Sequence, residues 1–363
     1  MKAQRISIIG TGTWGIALAR MLCLNGHQVT AWSAIPEEIE QLESSRTHRN
    51  LPGVLIPEQI CFTTDIEEAC TDQDLLIFAV PSVYVRDTAR KAAPYIKRGQ
   101  IIADVAKGIE TDTLMTMTEI IEDVLSSGCC KDLPEELFGQ TAGASVTETG
   151  GIPANVDDGR ARLVALSGPT HAEEVSRDLP TMIVAASKDK EAACYVQEVC
   201  SNQVMRVYTN DDIRGVEISG ALKNIMALAA GIAAGMGYGD NLKAALITRG
   251  MTEIARLGIA MGCREQTFAG LAGIGDLIVT ATSVHSRNNR AGFLIGQGKS
   301  AQEAIREVGM VVEGINALPA AMKLAKQYQI EMPITEAVNK VVTEGMSPEE
   351  MFHMLMERAF TRE

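Results

Sequence analysis

The chain is poor in cysteine and has no excess of basic charge. Eight cysteines in 363 residues are too few for a disulfide framework. None falls in a CxxC pair and no Cys/His cluster has zinc spacing, so no metal is expected. Cys129 and Cys130 are adjacent and badly placed to bridge each other. This usage predicts reduced thiols and a cytoplasmic protein. Lys plus Arg number 33 against 46 Asp plus Glu, a net charge of −13. A nucleic-acid footprint needs the opposite balance. A small anionic ligand stays admissible, because a few local cations can dominate a cleft. No signal-peptide pattern precedes the first apolar run, which begins at Ile6. The longest uncharged run, 224–239, falls short of the ~20 residues that cross a bilayer. Its Gly and Ala content marks a packed core helix rather than a membrane span. No internal repeat is visible.

What is present is globular: 46% hydrophobic and 22% charged residues. The length suggests about two domains. Apolar runs that suit strands lie at 6–10, 28–32, 75–80, 101–105, 163–166, 182–186 and 205–208. Helical stretches lie between them, at 14–25, 36–44, 83–96 and 170–177. Such alternation predicts a doubly wound α/β fold with a mostly parallel sheet. Beyond 211 strand signals vanish. Helices are expected at 215–234, 242–261, 300–309, 314–327, 334–343 and 348–362. The expected domains are therefore 1–210, α/β, and 211–363, all-α. Residues 126–160 are weakly patterned and read as an insertion in the first domain.

Gly10-Thr11-Gly12-Thr13-Trp14-Gly15 is a GxGxxG loop between a strand and a helix. Gly10 permits the tight turn, Gly12 the approach of a pyrophosphate, and Gly15 close helix–strand packing. A helix N-terminus offers its free N–H groups to phosphate. The loop predicts a dinucleotide site. The acid expected about 20 residues on is missing, because the second strand runs into Trp32-Ser33-Ala34. Glu37 and Glu38 are candidates to serve NAD, although their place on the next helix is the preferred reading, and no Arg follows at once. The choice between NAD and NADP stays open.

Six further motifs follow in order: Ala106-Lys107-Gly108-Ile109-Glu110, Ser167-Gly168-Pro169-Thr170, Gly220-Ala221-Leu222-Lys223-Asn224, Gly270 to Leu277, Ser286-Arg287-Asn288-Asn289-Arg290 and Val311-Val312-Glu313-Gly314. A lysine among Ile218, Leu222, Ile225 and Met226 should have its pKa lowered by desolvation, which suits a proton donor. Ser286, Arg287 and Asn288 offer consecutive hydroxyl, guanidinium and amide donors to an anion. Gly270 to Leu277 reads as a glycine-rich turn.

With the glycine loop, this set resembles the NAD(P)-dependent glycerol-3-phosphate dehydrogenases of the bacterial type, over nearly the whole chain outside 126–160. The resemblance implies a Rossmann-like domain followed by an all-α domain, as in 6-phosphogluconate-dehydrogenase-like folds. It implies reversible hydride transfer between nicotinamide and dihydroxyacetone phosphate or sn-glycerol 3-phosphate, feeding glycerophospholipid synthesis. Lys223 is the implied proton donor and acceptor, and Lys107 touches substrate and cofactor. Asp276 pairs with Lys223 or bonds a substrate hydroxyl. Gly168, Thr170, Ser286, Arg287 and Asn288 are implied substrate contacts. Thr13, Trp14, Ala172, Val311, Glu313 and again Arg287 are implied cofactor contacts, with Gly10, Gly12 and Gly15 forming the loop. Ser33-Ala34 departs from the family, which often carries a basic or imidazole residue there. His171 is able to reach the substrate crevice, although packing behind it is the preferred reading. An apolar helical surface suggests a homodimer. Two other classes compete. A β-hydroxy-acid or 2-ketoacid reductase would need a carboxylate clamp at 286–288. A non-catalytic NAD(P)-sensing protein would not need the two lysines.

Overall fold

The computed structural model describes residues 2–127 and 161–359. Of the expected insertion at 126–160, all but the first two positions lie outside the described residues, as do Cys129 and Cys130. The first part is a sheet of eight strands: β1 Arg5–Ile9, β2 Gln28–Trp32, β3 Cys61–Thr63, β4 Leu75–Phe78, β5 Ile101–Asp104, β6 Arg162–Ser167, β7 Thr181–Ala186 and β8 Met205–Asn210. Their spatial order is β3-β2-β1-β4-β5-β6-β7-β8. All neighbours run parallel except β6 and β7. The order 3-2-1-4-5-6 is that of a doubly wound dinucleotide-binding sheet. Sequence alternation explains why both faces are covered. Leu75 and Ile77 of β4 enter one apolar cluster, Leu76 and Phe78 the other. A strand buried on both faces reads as one continuous apolar run.

Seven of the eight strands coincide with apolar runs. β3 does not, being only three residues long. The last strand ends at Asn210 and helix Ile213–Gly235 begins at once, capped by the Asp212 carboxylate on the Gly215 N–H. Every described element beyond it is helical. This central helix is buried almost all round, because its sequence is apolar all round. It is long and apolar enough to cross a membrane, yet 89% of the qualifying window lies inside the protein.

Glycines set how closely its neighbour packs. An added Cβ at Gly231 would lie 2.1 Å from the Asn289 carbonyl oxygen, and one at Gly292 would lie 2.1 Å from that of Leu228. Backbone therefore touches backbone between the central helix and helix Arg287–Gly296. This contact fixes residues 286–288 relative to Lys223. Gly292→Ala is expected to force the helices apart at ~1–3 kcal/mol. The thermal midpoint should then fall by roughly 2–12 °C. An unchanged midpoint in a melting experiment would contradict this account of the packing.

Candidate active site

Gly10 leaves β1 with φ +125°, and a Cβ there would strike the Ala79 and Val80 backbone. At Gly15 a Cβ would lie 2.1 Å from the Gly10 carbonyl oxygen. The protein's own packing thus requires both glycines. At Gly12 the space is open, with no protein atom within 4 Å of an added Cβ. Gly12 is also the N-cap of helix Thr13–Leu24, and no side chain caps that end. The unspent N–H groups and the open space suit a dinucleotide pyrophosphate. Thr13 accepts a hydrogen bond from Asn50 Nδ2 at 3.1 Å.

A cleft of about 250 Å³ runs from this loop to the helical part. Its walls carry Gly12, Thr13, Trp14, Lys107, Thr170, Ala172, Lys223, Ser286, Arg287, Asn288, Val311 and Glu313, all predicted site residues. Gly10, Gly15, Gly168 and Asp276 stand behind the wall. His171 lies on the wall, the less favoured of its two expected places. Its Nε2 is 3.4 Å from the Val279 carbonyl oxygen, which turns the ring toward the helical part. Burial holds its imidazole below the usual value.

Lys107 follows β5, where a parallel sheet opens into its ligand crevice. Lys223 projects from the central helix. Their ammonium groups meet on Asp276, which opens helix Asp276–Thr282. Lys223 Nζ donates to Asp276 Oδ1 at 2.5 Å, and Lys107 Nζ donates to Oδ2 at 2.7 Å. Lys107 also donates to the Gly168 carbonyl at 3.2 Å. Asp276 is fully buried and Lys223 is 4% exposed. Burial pushes the Lys223 ammonium down to about 7; Asp276 opposes that shift and Lys107 reinforces it. The result is a lysine that can both give and take a proton near neutral pH.

Ser286 caps helix Arg287–Gly296 through its Oγ, which accepts from the Asn289 N–H. Arg287 is exposed beside it. Asn288 differs from expectation, because much of its amide is already committed. Its Nδ2 donates to Asn224 Oδ1 at 2.9 Å and its Oδ1 accepts from the Gly314 N–H at 2.8 Å. It therefore locks three helices together, with part of its amide left for a ligand. Glu313 is likewise engaged. Ser82 donates to it from its N–H and its hydroxyl, at 3.2 and 2.6 Å, which ties the helical part to the sheet.

Profiles of known families match both parts. The N-terminal model of NAD-dependent glycerol-3-phosphate dehydrogenase matches residues 5–132 and 152–193, and the C-terminal model matches 212–353. The chain belongs to the NAD-dependent glycerol-3-phosphate dehydrogenase family. It is 56% identical over 354 residues to glycerol-3-phosphate dehydrogenase [NAD(P)+] 2 of Lactobacillus delbrueckii subsp. bulgaricus, covering 98% of this chain and 97% of that one. It is 45% identical to the enzyme of that class from Bacillus subtilis, over 99% of this chain and 96% of that one. The crystal structure of glycerol-3-phosphate dehydrogenase from Coxiella burnetii superposes with a TM-score of 0.86 at 31% identity, covering 98% and 99% of the two chains. A ketopantoate reductase from Ralstonia eutropha, 14% identical with a TM-score of 0.57, shares the fold alone.

Within this family frame, the structure adds residues the motifs did not reveal. Thr280 accepts from Lys223 Nζ at 2.5 Å and donates to the Asp276 carbonyl at 2.7 Å. Its signal was positional: four residues after Asp276 on one helix is the same face. Asn224, already part of the Gly220–Asn224 motif, joins the site through Asn288. Gly270 to Leu277 is a helical segment kinked at Gly273, whose φ −97°, ψ −106° leaves the helical region.

Proposed function

We propose that the chain interconverts dihydroxyacetone phosphate and sn-glycerol 3-phosphate with NAD(H) or NADP(H). The carrying observation is the Lys107–Asp276–Lys223 bridge on a cleft with the glycine loop at one end and Ser286 to Asn288 at the other. A nicotinamide held by the glycine loop would supply or take the hydride at C2. Lys223 gives its proton to the C2 oxygen during reduction and takes one from the C2 hydroxyl during oxidation. Lys107 offsets the negative charge that develops on that oxygen. Asp276 orients both ammonium groups and keeps Lys223 charged often enough to act as an acid. Ser286, Arg287 and Asn288 hold the phosphate, with the N-terminus of helix Arg287–Gly296 beneath them. Thr170 lines the substrate side, and the Gly168 carbonyl behind it steadies Lys107. Ala172, Val311 and Glu313 close over the cofactor side.

The reading extends to a cytoplasmic enzyme that supplies glycerol 3-phosphate for phospholipid synthesis. Domains at 1–210 and 211–363 match its division of labour, one for the cofactor and one for proton transfer. Exposed apolar residues of the helical part, such as Ile259, Phe293 and Met356, support a homodimer. Sedimentation equilibrium would give twice the chain mass. Function is tested by nicotinamide absorbance with dihydroxyacetone phosphate, NADH and NADPH being run separately. Oxidation of the reduced cofactor that requires the substrate's phosphate is expected. Turnover of a phosphate-free 2-ketoacid with no response to dihydroxyacetone phosphate would overturn the proposal.

A further inference from the structure

The second strand ends without the acid that holds an adenosine ribose, yet a carboxylate reaches the same spot from elsewhere. Glu38 lies in the first turn of helix Pro36–Ser45 and is half-buried. Its Oε2 accepts from Thr11 Oγ1 at 3.0 Å and from Ser33 Oγ at 2.9 Å. Thr11 belongs to the glycine loop, and Ser33 is the residue after β2. The carboxylate is therefore clamped between the loop and the end of the second strand. That is the place from which an acid bonds the ribose diol in a doubly wound sheet. Both hydroxyls converge on one oxygen. Among the described residues no hydrogen bond is directed to Oε1, which stays available as an acceptor.

We infer that Glu38 is the ribose-binding acid of this site and makes the chain prefer NAD(H) over NADP(H). The inference rests on the glycine loop being the dinucleotide site. A ribose 2′-hydroxyl would donate to Oε1. A 2′-phosphate would bring two like charges against the same carboxylate and would have no proton to donate. Ser33 and Thr11 fix the acid in place of the backbone position that usually carries it.

The test is direct binding, without substrate. The full chain is titrated separately with NADH and NADPH, and nicotinamide fluorescence is followed. The wild type should bind NADH at least about tenfold more tightly, the worth of one hydrogen bond to a charged group. Glu38→Gln should weaken NADH, tighten NADPH and bring the ratio of the two Kd values toward one. A melting curve compares the folded state of the two proteins. Equal affinities in the wild type would overturn the inference, whether or not the variant folds. So would an unaltered ratio in a folded Glu38→Gln. Failure of both nucleotides to bind would instead remove the glycine-loop reading and the inference with it.

Discussion

Lys223→Met is expected to lower kcat/KM for dihydroxyacetone phosphate reduction by ~10²- to 10⁴-fold, the range for loss of a positioned acid. Lys107 is no ready substitute. Lys107 keeps its ion pair with Asp276 and its bond to Gly168, which hold its ammonium as a fixed positive charge. The fold should survive. Methionine matches most of the lysine stem and removes a buried ammonium, while Asp276 keeps Lys107 as partner. The linkage has a definite sign. Lys223 has a folded pKa near 7, below its unfolded value, so the native state binds fewer protons between the two. Protonated Lys223 thus costs stability, and stability rises with pH across that window. The thermal midpoint of Lys223→Met should not drop near neutral pH. A steady-state assay and a melting curve check the pair of expectations. Full reductase rate would remove Lys223 from the mechanism, whereas lost rate with a collapsed midpoint would make its role structural.

Asp276→Asn should act through the lysines rather than through the ligand. Removing the carboxylate withdraws the charge that holds the Lys223 pKa up, leaving burial and Lys107 to depress it. A single opposite charge at this range is worth about 1–3 pH units. At neutral pH the lysine would then be mostly neutral, and reduction should fall about tenfold or more. Reduction should recover partly as the pH is lowered. With Lys223 neutral, the Lys107 ammonium would lose its buried counter-charge, so stability should fall by ~3–5 kcal/mol. Rate profiles over pH and denaturant melts measure the two effects. A loss of rate with an unshifted profile would contradict the positioning role.

Much of this site can be read from short motifs because each is local. A glycine loop between a strand and a helix states its own geometry. So does a run such as Ser286-Arg287-Asn288 at a helix start. The strands β1, β2, β4 and β5 are legible for the same reason, since continuous apolar runs mark strands buried on both faces. What escapes the sequence depends on distant partners. Glu313 meets Ser82 across 231 positions, and Asn288 meets Asn224 across 64. No spacing rule connects such residues. Glu38 shows the same limit at short range. Its place on a helix is readable, but its reach back to Thr11 and Ser33 is a matter of side-chain direction. Strand β3 escaped because it is short.

The central claim is that one buried lysine, titrating near neutrality, carries the proton in both directions. Its most direct test is kcat/KM against pH for reduction and for oxidation on the same enzyme. Reduction needs the ammonium, so it should fall as pH rises through about 7. Oxidation needs the free amine, so it should rise through the same region. Opposed profiles that share one midpoint, and that vanish in the residual activity of Lys223→Met, are the predicted result. Two flat profiles, or two that run the same way, would contradict it.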